Sequence, residues 1–434
     1  MGNIRDLALF AIIFGLIPFI LRAPHIGVLT WSWLSYMNPH RMTWGAAYNF
    51  PFAQVVALAL LVGILFSREP KYLPKHWLVG VWLFFIAWMG ISTLNAYFPE
   101  AAQLQFIKII KIQLIIFITM LIMHSAERIK MMVWVIFLSV GFFGIKGGAF
   151  TLLTGGAHRV WGPPGSFIED NNHLAIALLM VLPLGYYLLR HELTNVWYKR
   201  AMWLALGLIA LAVVGSFSRG AFLSILCVSF YLWLKTDKKL ISALFIVPLL
   251  PIMFMFMPDS WHERMSSIET YKEDASAMGR LNAWAYSINA ANANITGAGL
   301  ESWDSETFVR WAPNPENVAA AHSIYFSVLA DHGWLGLLMF FVLFLGGFII
   351  ARRTVRIAAP HERYRWAADL ARMIQVSLVA YGTGGAFLSM SYFDLPWHLL
   401  AISLLLQQRL KEDGIWVEET RRIKHHLRSP QLHS

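Results

Sequence analysis

The chain has 434 residues, of which 57% are hydrophobic and 14% charged, against about 25% charged in a soluble domain, so most of it is excluded from water. A net charge of +10 would point to nucleic acid in a soluble protein; here many Lys and Arg residues sit in short loops between apolar runs, which is a topology signal, and no nucleic-acid partner is expected. The single cysteine, Cys227, lies within an apolar run and excludes a disulfide framework or a cysteine metal site.

These limits predict an all-α polytopic membrane protein, one transmembrane domain over residues 1–434 with about twelve helices. The first apolar run, Leu7 to Leu21, lacks a cleavage site and reads as a retained helix. Ile26 to Tyr36 does not fit the parity of the remaining runs and is expected to be re-entrant, interfacial or a continuation of the first helix. Spans then follow at Phe52 to Phe66, Trp77 to Leu94, Gln105 to His124, Met131 to Leu153, His173 to Arg190, Ala201 to Ser216 and Gly220 to Leu234. The remainder are Leu240 to Met257, Ser323 to Ile350, Arg372 to Ser391 and Leu395 to Arg409.

Lys and Arg gather in alternate loops, around Arg68 to Lys75, Arg128 and Lys130, Arg190 to Arg200, Lys235 to Lys239, Arg352 to Arg365 and the tail 410–434. The positive-inside rule makes that side cytoplasmic and predicts both termini there. The opposite face carries Asn95 to Leu104, Thr154 to Asn172, the turn Ser216 to Arg219, Ser391 to Pro396 and one large loop, 258–322, whose Leu281 to Asn294 reads as an amphipathic helix.

Function is expected on this outward face, because ionisable residues near a bilayer are costly and tend to be retained for use. Arg219 sits in a turn of small residues, Ser218-Arg219-Gly220, where a large anion can approach guanidinium and backbone together. Arg280 in Gly279-Arg280-Leu281 and Arg159 in His158-Arg159-Val160 are two more guanidiniums that, if they converge, suit a diphosphate. His322 opens a span and is a candidate general base; His332, farther along the same helix, has the weaker case. Lys108 and Lys111 share a helix face, and Lys146 is flanked by glycines; each is a candidate for a phosphorylated lipid, with snorkelling to headgroups as the plain alternative. Asp394, with His398 four residues on, is positioned to orient a base or pair an arginine. The sequence shows no nucleotide-binding loop and no metal-ligand motif, so no cofactor and no metal are expected.

In order along the chain, Ser218-Arg219-Gly220, Gly279-Arg280 with Trp284, Thr296-Gly297-Ala298-Gly299, and His322-Ser323 followed by Gly333 and Gly336 resemble the O-antigen ligase and polymerase family of bacterial membrane glycosyltransferases. The likeness is to lipopolysaccharide O-antigen ligases, including O-glycosylation ligases found with exosortase systems. It implies a metal-independent, inverting transfer on the periplasmic face of the inner membrane, from an undecaprenyl-diphosphate-linked glycan to the lipid A core, by a monomer among membrane lipids. His322 would then be the base, with Arg219 and Arg280 on the leaving diphosphate. A growing glycan or a protein as acceptor stays open, as does, from another class, a transporter or flippase of a lipid-linked anion, which has no need of a base at the helix mouth.

Overall fold

The computed structural model describes residues 2–236, 238–240 and 275–417; the expected span Leu240 to Met257 lies almost wholly outside them, as do the first part of the large loop and the tail beyond 417. Among the described residues every regular element is helical. They are α1 (Gly2–Arg22), α2 (Pro24–Met37), α3 (Phe52–Phe66), α4 (Trp77–Leu94), α5 (Pro99–Ile122), α6 (Ala126–Leu153), α7 (Asn171–His191), α8 (Val196–Gly215), α9 (Arg219–Lys235), α10 (Ala275–Ala293), α11 (Ser305–Trp311), α12 (Ile324–Ala358), α13 (Arg365–Gly384) and α14 (Asp394–Glu412), with short 3₁₀ turns between some of them. Seven of these, α1, α4 to α8 and α12, are long and apolar enough to cross a bilayer. The chain is thus a polytopic all-α membrane protein.

Local chemistry sets the helix starts. Ser125, Asp170, Asn195 and Ser218 each accept a backbone N–H of the first turn of the helix that follows, and Pro24 and Pro99 open α2 and α5, where their missing N–H costs nothing. Helices then pack through glycines. A side chain on Gly148 would fall 1.9 Å from the Leu208 carbonyl oxygen, and one on Gly144 would fall 2.6 Å from Leu178, so α6 lies against α8 and α7 on a small-residue face.

The bundle has two chemically different ends. At one, ion pairs tie loops together: Arg128 holds Glu69 through two bonds of 2.7 and 2.8 Å, Lys130 meets Glu192 at 2.8 Å, and Asp369 takes His191 at 2.8 Å as well as Arg372. Tyr72 donates to Glu412 at the end of α14, which therefore finishes at this cation-rich end. The other end gathers the turns after α2, α4, α6, α8 and α13 and the segment 295–323; it is called the loop end below.

The N-terminal region corrects two expectations. Asp6 accepts from Ala47 N at 3.2 Å, and Arg5 donates to Met42 O and lies over Trp44, so α1 begins at the loop end. Its far end reaches Gly63 at the close of α3, and His25 lies within electrostatic range of Glu69 and Arg128 at the cation-rich end. The stretch Ile26 to Tyr36 is thus neither re-entrant nor a continuation of α1: it is α2, a separate helix that turns at Ala23-Pro24 and runs back through the bundle. The start of α1 and the end of α14 consequently lie at opposite ends, not on one side as expected. The cause is that α2 has 14 residues, too few to register as a crossing by length, and is held by close contact of Gly27 with Ile20 and Leu60.

Candidate functional site

Three helix starts meet at the loop end around the close of α13. A Cβ on Gly384 would press on Ile176 of α7, one on Gly385 on Ile324 of α12, and one on Gly220 of α9 would touch Phe387 at 3.7 Å. Small residues here let α7, α9 and α12 point their N-termini, each with unsatisfied N–H groups and the positive end of the helix dipole, toward one region.

Each start brings functional groups. Before α9, the turn Ser216 to Ser218 passes through a left-handed residue, Phe217 at φ 53°, and places Arg219 exposed in the first turn of the helix. Asn171 of α7 donates to the Ser216 carbonyl at 2.7 Å, fixing this turn to the start of α7. Val160 N donates to Gly215 O at 3.0 Å, so Arg159 is carried on a segment laid directly beside the same turn. Asp170 caps α7 through Asn172 N at 2.8 Å and stands 3.7 Å from His173. Neither acid next to this turn behaves alike: Glu169 is taken up by Gly165 N at 2.7 Å, while Asp170 faces the histidines.

His322 is set by α10. Asn282 bonds Asn314 O at 2.7 Å and Asn317 O at 2.9 Å, and Trp284 donates to Ala321 O at 2.8 Å while stacking on Phe326 at 4.7 Å. Trp284 is one turn on from Arg280, so the bond that anchors Ala321 also brings His322 within electrostatic reach of Arg280. His322 adopts φ 43°, a left-handed conformation that turns its exposed ring out of the Ala321–Ser323 wall, both of whose residues are buried. Its partial enclosure, and then the Arg280 charge, lower its pKa below the usual imidazole value, with Asp170 acting in the opposite sense. The imidazole is therefore held neutral and able to accept a proton near neutral pH.

The other residues singled out in the sequence go elsewhere. Asp394 is buried and accepts from Ser35 of α2 at 2.6 Å, and His398 meets Tyr36 at 2.7 Å; this pair locks α14 to α2, and among the described residues Asp394 forms no ion pair with an arginine. Lys146 is exposed on the face of α6 opposite Gly144 and Gly148, whose smallness is explained by helix packing. Lys108 and Lys111 are exposed on α5. Asp170 and His173 were missed as site residues; the signal for them is an Asp-x-x-His spacing at a helix start, which puts both on one face.

The glycines quoted above have a structural reason of their own. α12 breaks at Gly333 (φ 68°), freeing the Ala330 carbonyl, which accepts from Ala298 N at 2.7 Å; the freed His332 carbonyl accepts from Trp88 at 2.8 Å. A Cβ on Gly297 would lie 2.3 Å from that Ala330 oxygen, and one on Gly333 2.2 Å from Ile295 O. The 295–301 segment is wedged into the break.

Comparison with known families divides the chain in two. Residues 204–341 match the family described as O-antigen ligase, and residues 4–193 match a family of unknown function (DUF5935). Arg219, Arg280 and His322 all fall in the first match, whereas Arg159, Lys146, Lys108 and Lys111 fall in the second and Asp394 in neither. No curated protein matches the chain.

Proposed function

We propose, for a chain whose residues 204–341 match the O-antigen ligase family, that the loop end is periplasmic and transfers a glycan from undecaprenyl diphosphate to a hydroxyl of the lipid A core. The single observation that carries this reading is the placement of His322, beside Arg280 and Asp170 and at the meeting of three helix starts.

The chemistry follows from that placement. The acceptor hydroxyl gives its proton to neutral His322 as its oxygen attacks the anomeric carbon; the bond from that carbon to the diphosphate oxygen breaks on the opposite face, so the configuration inverts. Negative charge builds on the departing diphosphate. Arg219, Arg280 and, beside them, Arg159 donate bidentate bonds to phosphate oxygens, and the N-termini of α7, α9 and α12 add their dipoles. Asp170 stabilises the imidazolium that forms on His322. None of these steps calls on a metal or nucleotide.

The test uses purified full-length protein in detergent with an undecaprenyl-diphosphate glycan and core lipopolysaccharide, without nucleotide or divalent metal. Wild type is expected to shift the acceptor on a gel, and His322→Ala and Arg219→Ala, still folded, to abolish the shift. Absence of transfer by wild type, with the lipid-linked glycan crossing a reconstituted bilayer instead, overturns the enzyme reading.

A further inference from the structure

Near His322 lies a cavity of about 190 Å³ whose walls carry carboxylates where the proposed phosphate subsite carries arginines. Gln105 of α5, Glu301, Trp303, Ser327, Asp331 and Tyr392 line it, together with Ala320, two residues before His322. A wider recess of about 660 Å³ adjoins it, sharing Glu301 and Trp303 and adding Glu100 and Asp304. Neither lining includes a Lys, Arg or His. Arg310 lies over Tyr97 at the wider recess, whereas the narrower cavity offers a diphosphate only carboxylates and neutral groups.

Asp331 forms a fixed inner wall. It is 4% exposed, and its Oδ2 meets the Tyr392 hydroxyl at 2.8 Å; Oδ1 has no hydrogen-bond partner among the described residues. Tyr392 also meets His332 Nε2 at 2.7 Å, and His332 Nδ1 meets Ser92 Oγ at 2.6 Å. Ser92 Oγ lies 2.9 Å from Met89 O and 2.6 Å from His332 Nδ1, and the closer of the two lets its hydroxyl donate to the imidazole. His332 Nε2–H then donates to the Tyr392 oxygen and Tyr392 O–H donates to Asp331 Oδ2, so the chain closes with the protons these groups carry. The carboxyl is thereby immobilised, with Oδ1 left for a ligand.

At the mouth, Glu301 is held at φ 56° after two left-handed glycines, Gly297 and Gly299, a conformation that costs a non-glycine residue about 1–3 kcal/mol and that the wedge in the α12 break sustains. The half-buried Trp303 indole packs on Tyr286 at 5.2 Å and presents its remaining surface beside the carboxylate.

We propose that this cavity is a subsite for a neutral, polyhydroxylated sugar ring of one of the two substrates, its hydroxyls donating to Glu301 and Asp331 and its C–H face lying on Trp303. A bound cation fits less well, because no three His, Cys, Asp or Glu residues come together to hold a metal among the described residues. The proposal rests on the glycan-transfer reading for what the sugar belongs to, but not for whether it binds.

Binding is measured by saturation-transfer NMR on full-length protein in detergent, with two probes: the delipidated donor glycan and the delipidated core oligosaccharide. One of them is expected to bind wild type and Arg219→Ala alike, and to bind about tenfold more weakly to Glu301→Gln, the loss of one hydrogen bond to a charged group. Trp303→Ala should weaken it similarly, but Trp303 supports Tyr286, so Glu301→Gln decides if that variant fails to fold. In the transfer assay, Glu301→Gln should raise KM about tenfold for the same substrate and leave kcat nearly unchanged, which tells donor from acceptor. Binding of neither glycan, or binding that Glu301→Gln does not alter, overturns the subsite. Sugar binding without transfer overturns the ligase reading and leaves the subsite standing; transfer with an unchanged KM does the reverse.

Discussion

His322 and His332 bracket the outward piece of α12 and are held in opposite ways. His322 stands exposed on a left-handed residue, with charges around it and freedom to take a proton. His332 is wholly buried, with Ser92 on one nitrogen, Tyr392 on the other and its carbonyl on Trp88. A histidine that must change protonation during a reaction needs room and solvent contact, whereas one that fixes a helix break needs every polar atom satisfied. On the proposed function, the same residue type thus serves reaction at one end of a short helical piece and rigidity at the other.

The largest effect that would sharpen this contrast is on turnover. His322→Ala should lower the transfer rate about 10²- to 10⁴-fold, the range for loss of a general base, with an unchanged melting temperature. Near-normal transfer by that variant would break the contrast outright. Gly333→Ala should act through stability, since the new Cβ meets Ile295 O at 2.2 Å and the backbone sits at φ 68°; strain alone costs about 1–3 kcal/mol, read as a lower melting temperature in detergent. His332→Ala should do likewise by removing the bonds to Tyr392 and Ser92, each of which keeps one other partner, at about 1 kcal/mol per bond lost.

The pH dependence gives a subtler test. The base works when neutral, so kcat/KM rises with pH through the His322 pKa. Arg280 lowers that pKa and Asp170 raises it. Arg280→Gln should therefore move the acidic limb of the profile to higher pH, and Asp170→Asn to lower pH, whatever each does to the maximum rate; shifts in the same direction would remove His322 from the role. The smallest effect expected is from Trp284→Phe, which keeps the stack on Phe326 and loses only the bond to Ala321 O, about 1 kcal/mol, seen as a modest fall in kcat.

Much of the fold was legible because apolar runs and alternating cation-rich loops are one-dimensional signals. The short helix α2 was not, since its crossing is completed by glycine contacts to α1 and α3 that no local pattern reveals. Arg219, Arg280 and His322 stand out in sequence because each is a charged or titratable group next to small residues on the outward-assigned face. Asp170 reads in sequence only as a carboxylate able to pair Arg219 and His173 as the opening of an apolar span, and Glu301, Asp331 and Tyr392 meet only through the α12 break, which joins segments far apart in the chain. The glycines at 297 and 333 read as a motif; their reason, mutual backbone contact, is three-dimensional.

The turn at Ala23-Pro24 has a practical consequence for labelling. Because α1 starts beside Ala47 and α14 ends beside Tyr72, an epitope fused ahead of Gly2 and another inserted after Glu412 lie at opposite ends of the helix bundle. In sealed vesicles only one of them should be within reach of an antibody or a protease, and on the proposed function the one reached in right-side-out vesicles is on the transfer side.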